Sequence, residues 1–122
     1  MITSKEIVIE QPAGTYKSFE IENNPVWKDY PLSGVIYPVD YSYIKGYTSE
    51  DNDDLDIFVG SGALCGYIKI WRCDVPLETK IIYKVTPGEY DTIIKTFKSV
   101  IKEKRVFENK TLFNAFFKAY KR

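Results

Sequence analysis

YPVDYSYIKGYTSEDNDDLDIFV, residues 37–59, is the stretch on which the reading of this chain turns. Glu50, Asp51, Asp53, Asp54 and Asp56 put five acids into seven residues with no base among them. Ile57-Phe58-Val59 follows at once and reads as a buried strand. Each close pair of like charges at such a strand entrance costs several tenths to about 1 kcal/mol, even near water. A positive partner is therefore expected. The chain has no His and its Cys stand only at 65 and 73, so the partner is a hard cation bound through oxygen. Mg²⁺ suits this best, because it takes one or two carboxylates, keeps several waters and leaves room for substrate phosphates.

Two plainer readings compete. Asp/Asn-rich stretches are commonly turns whose side chains bond their own backbone, and on composition alone that is the favoured reading. An EF-hand loop needs oxygen ligands at positions 1, 3 and 5, Gly at 6 and Glu at 12. Counted from Asp51, position 5 is Leu55, position 6 is Asp56 and position 12 is Gly62, so this loop is excluded.

Working outward, 122 residues make one domain, 1–122, with 44 % apolar and 16 % aromatic residues, enough for a single core. No apolar run approaches a membrane span and the N-terminus lacks signal-peptide layout, so a cytoplasmic setting is expected. Cys65 and Cys73 match no zinc or redox spacing and are expected to be buried thiols. Net charge is zero but uneven: residues 95–122 hold nine Lys/Arg against Glu103 and Glu108. Such a basic quarter suits either nucleic acid or the solvent face of helices.

Strands are expected at 6–10, 16–22, 34–37, 57–59, 65–71 and 79–85, separated by Pro, Gly and Asn/Asp breaks. After Thr86-Pro87-Gly88 the period changes. Ile93, Ile94, Phe97, Val100 and Ile101 recur at helical spacing, as do Leu112, Phe113, Phe116, Phe117 and Tyr120. Asn109 or Thr111 can cap the second helix. The expected fold is mainly β: a small closed or nearly closed β-barrel of 5–7 strands with two C-terminal helices on its outside.

The order Asp51-Asn52-Asp53-Asp54-Leu55-Asp56-Ile57 resembles the signature of the family I soluble inorganic pyrophosphatases. Tyr37-Pro38-Val39-Asp40-Tyr41-Ser42-Tyr43-Ile44 resembles the run that the family carries upstream, and two linked motifs are more specific than either alone. The resemblance implies an OB-like barrel and Mg²⁺-dependent hydrolysis of pyrophosphate or a related small diphosphate. It implies Asp51 and Asp56 as metal ligands, Asp53 as catalytic base and Tyr41 beside it in the catalytic set. Glu78-Thr79-Lys80 resembles the family's later metal-binding Asp-x-Lys, with Asp74 as the nearest match to an earlier Asp. Glu10 and Glu20, in strands resembling the family's, join the metal group. Lys80, Tyr120 and Lys121 are the implied phosphate-binding residues, the last two from Phe116-Phe117-Lys118-Ala119-Tyr120-Lys121. Homo-oligomers are implied as well.

The chain departs from the pattern at four points. Asp54 stands where Pro or Glu is usual, Ser18 where a phosphate-binding Lys is expected, and Asp29 where a phosphate-binding Arg is expected. Lys17 and Lys28 are the adjacent candidates for phosphate, but a point-charge Lys is not equivalent to a forked Arg there. The chain also ends just beyond Lys121, where the family continues into more helix. A catalytically weakened relative that binds metal and phosphate compounds is therefore the alternative function. An OB-like nucleic-acid module ranks behind both, because the basic residues lie on helical stripes and the richest cluster is acidic.

Overall fold

The computed structural model describes residue 2 and residues 6–18, 30–72 and 77–122. Its centre is the hairpin made by the opening stretch. Strand β4 (Asp40–Thr48) pairs antiparallel with β5 (Asp54–Val59), with Tyr41 opposite Phe58 and Tyr43 opposite Asp56. The turn reading of the acids holds: Ser49 N–H donates to the Asp53 carbonyl at 2.9 Å, and Asp53 N–H donates to Asp51 Oδ1 at 3.0 Å. Asn52 takes the left-handed φ of 66° that this turn requires and that Asn tolerates.

Around the hairpin lie β1 (Ile7–Gln11), β6 (Leu64–Ile70), β7 (Glu78–Val85) and β8 (Ile101–Val106), giving a six-stranded sheet ordered β1-β4-β5-β7-β6-β8. Only the β5–β7 pair is parallel. β2 (Tyr16–Ser18) and β3 (Gly34–Ile36) form a separate two-stranded sheet. The fold is mainly β, as expected; the described residues form two helices and eight strands, rather than 5–7, and their sheet does not close into a barrel. β1 and β8 are its edges, and no pairing among the described residues joins them.

Two cores explain why the central strands are so apolar. Helix α1 (Pro87–Phe97) packs Ile93 and Phe97 on one face with Phe58, Ile68 and Ile82. Helix α2 (Lys110–Lys118) packs Phe113 and Phe117 on the other face with Leu55, Ile57 and Ile81. A strand covered on both faces loses alternation and reads as a continuous apolar run. Thr86 and Glu89 form a capping box for α1, with Pro87 opening the helix, so the sequence break at 86–88 is a helix start. Asn109 caps α2. No described helix is long and apolar enough to cross a membrane.

Two elements differ in kind from expectation: β4 forms over residues 40–48, where no strand is expected, and β8 stands where the helical spacing of α1 continues. Val100 and Ile101 continue the apolar spacing of α1, yet the helix stops at Phe97 and residues 101–106 form edge strand β8. Its inner residues, Lys102 to Arg105, are exposed charges, the usual protection of an edge, so no period-2 signal is visible. Gly66 makes the pairing possible: a Cβ there would lie 2.0 Å from the Arg105 carbonyl oxygen. Cys65 is half-buried against the second core, and Cys73 lies outside the described residues.

Candidate functional site

Strand periodicity builds the site. Asp54, Asp56 and Phe58 share one face of β5, while Glu78, Lys80 and Ile82 share the same face of β7. Helix α1 covers the apolar end of that face, and the charged end opens into a cleft of about 680 Å³. The cleft is lined by Glu10, Asp51, Asp53, Asp54, Asp56 and Glu78, with Lys17, Arg72 and Lys80 as its bases. Six carboxylates against three cations leave an excess of three negative charges.

Lys80 stands directly opposite Asp56 on the parallel pair and is the hub of the floor. Its Nζ lies 3.0 Å from Asp56 Oδ2, 2.5 Å from Glu78 Oε1 and 2.6 Å from the Tyr41 hydroxyl. Tyr41 donates in turn to Asp56 Oδ2 at 2.5 Å and stacks on Tyr37 at 4.3 Å between ring centres. Arg72 Nη1 pairs with Asp51 Oδ2 at 3.1 Å and with Glu78.

The ionisations follow from this packing. Burial alone raises the Glu78 carboxyl, but Lys80 and then Arg72 outweigh it and hold it well below the usual carboxylate range. Burial lowers Lys80, yet Asp56, Tyr41 and Glu78 raise it well above an ordinary lysine, so it stays charged. Asp56 is pushed up by burial and then by Glu78, despite Lys80. Burial raises Asp51 and Glu10 too, and at Glu10 the Asp56 charge adds to it. Tyr41 is raised well above the usual phenol, chiefly by burial, so it holds its proton at neutral pH and serves as a donor.

Of the residues singled out in sequence, Asp51, Asp53, Asp56, Glu78, Glu10, Lys17 and Lys80 all line this cleft, and Tyr41 forms part of its wall. Ser18 lines it too, beside the exposed Lys17. Asp54, the departure within the signature, pairs with Arg122 at 2.6 Å. Asp74, Glu20, Lys28 and Asp29 lie outside the described residues. Tyr120 and Lys121 are not brought to the cleft. The Tyr120 hydroxyl bonds Thr79 Oγ1 at 2.8 Å and Glu50 at 3.3 Å, whereas Lys121 bridges Tyr47 and lines a separate hollow against α2. Glu50 also turns away from the other acids, accepting from the Thr79 N–H at 2.9 Å. Arg72 also lines the cleft, as does Tyr43, which is absent from the expected set. Alternation with Tyr41 along β4 could have found Tyr43.

Fold and cleft together define a mainly-β domain with an open acidic site floored by a buried lysine. Comparison of the chain with protein-family models, curated proteins and solved structures returns no match in any of the three.

Proposed function

We propose that the chain is a Mg²⁺-dependent hydrolase of inorganic pyrophosphate or a related small diphosphate, working in the cytoplasm. One observation carries the reading: the three motif aspartates meet Glu78 and three bases in a single cleft with excess negative charge. Among the described residues no three acids are arranged around one ion. Mg²⁺ held by one or two carboxylates, with its remaining positions left to water and phosphate, needs no such group. Asp51 and Asp56 would hold it. Bound there, a divalent cation supplies screening of phosphate charge and acidification of water.

The chain's own groups do the remaining work. Asp53, exposed at the turn and lining the cleft, would take a proton from the attacking water. Tyr41 and Lys80 both hold the Oδ2 atom of the Asp56 carboxylate. Lys80 keeps a positive charge at the cleft floor, and electrostatic positioning of this kind is most of phosphoryl-transfer catalysis.

The metal dependence has a direct test. A carboxyl raised in the fold contributes stability that is full below its unfolded pKa and lost as pH rises through its folded pKa. Ionised Asp51 and Asp56 are thus a burden at neutral pH, and a cation beside them relieves it. Mg²⁺ is expected to raise the melting temperature at pH 7, by an amount equivalent to about 2.7 kcal/mol at 100 times its dissociation constant. The shift should shrink as pH falls into the carboxylate range, where protons compete, and be smaller in Asp56→Asn. A wild-type melting curve unmoved by tens of millimolar Mg²⁺, on the order of 10 times a millimolar dissociation constant, would count against the site.

A further inference from the structure

Arg72 lies outside every motif that suggests the function, yet the fold carries it onto the acidic wall. Its neighbour Trp71 is held from two sides: the Trp71 N–H donates to the Val100 carbonyl at 2.8 Å, and the Tyr30 hydroxyl donates to the Trp71 carbonyl at 2.8 Å. From that anchored backbone the guanidinium reaches Asp51 and Glu78. The two bases on this wall are not alike. Lys80 has a side chain 8 % exposed and is enclosed by Asp56, Glu78 and Tyr41, whereas Arg72 is 24 % exposed and faces the cleft.

We propose that Arg72 grips a phosphate group of the substrate, exchanging its contact with Asp51 for phosphate oxygens when a divalent cation occupies the aspartate wall. The inference rests on the diphosphate reading above. Three features support it. A guanidinium presents a planar fork that matches two phosphate oxygens, which a lysine cannot do. The exchange leaves no buried charge alone, because Glu78 keeps Lys80 at 2.5 Å and Asp51 gains the cation. The contact that must open joins two partly exposed side chains, Arg72 at 24 % and Asp51 at 12 %.

Calorimetric binding of methylenediphosphonate, a diphosphate analogue that cannot be hydrolysed, tests this in Mg²⁺ with melting curves taken alongside. Arg72→Gln is expected to weaken binding about 10- to 100-fold, the loss of a charge-assisted hydrogen-bond pair, with Arg72→Lys recovering only part. Arg72→Lys keeps a charge beside Glu78 and stands in if Arg72→Gln does not fold. A lower melting temperature with unchanged affinity in the folded variants would reduce Arg72 to an ion-pair partner and overturn the inference alone. A wild type that binds no analogue at millimolar concentration would overturn the diphosphate reading with it.

Discussion

Asp53→Asn is expected to slow phosphate release from pyrophosphate by about 10²–10⁴, the usual loss when a general base is removed. The turn that carries Asp53 is held through main-chain groups. The Asp53 carbonyl accepts from Ser49, and its N–H donates to Asp51. The substitution removes a carboxylate from the cleft without removing either bond, so the fold and the Asp51 carboxylate should survive. A variant with wild-type kcat at saturating Mg²⁺ would assign the proton transfer to another group.

Lys80→Met is expected to destabilise the protein by about 3–5 kcal/mol, since removing one partner of a buried ion pair strands the other charge. Asp56 would be stranded here, and the almost fully buried Glu78 would be left with Arg72 alone. Against a typical total of about 5–15 kcal/mol, that is a large share. Urea melts give the number. Adding Asp56→Asn to Lys80→Met should restore part of it, because the stranded charge is then removed. A loss under about 1 kcal/mol would mean that water, rather than Lys80, satisfies these carboxylates.

Much of the architecture was legible because its causes are local. The apolar runs at 57–59 and 79–85 come from strands buried on both faces, and the spacing at 112–117 comes from a helix buried on one. The cleft was legible only through the resemblance, which implied Asp51, Asp53, Asp56, Glu78 and Lys80. They meet because Asp54/Asp56 and Glu78/Lys80 occupy alternate positions on adjacent parallel strands, so one face collects the charges. What was hidden depends on pairing between distant segments. The open sheet, in place of a barrel, reflects which strands reach the edges. β8 was hidden because Val100 and Ile101 pack into the core beside α1 and so carry its helical spacing, while the exposed charges of residues 102–105 show no alternation. Arg72 reaches Asp51, 21 residues upstream, only through the fold. Tyr120 and Lys121 fit a motif, but α2 delivers them to the opposite side of β7, to Thr79 and β4.

Phosphate release from inorganic pyrophosphate, followed with and without Mg²⁺, tests the central claim most directly. The account predicts turnover that requires Mg²⁺ and falls away in Asp53→Asn. Absence of Mg²⁺-stimulated release from a protein shown to be folded would contradict it.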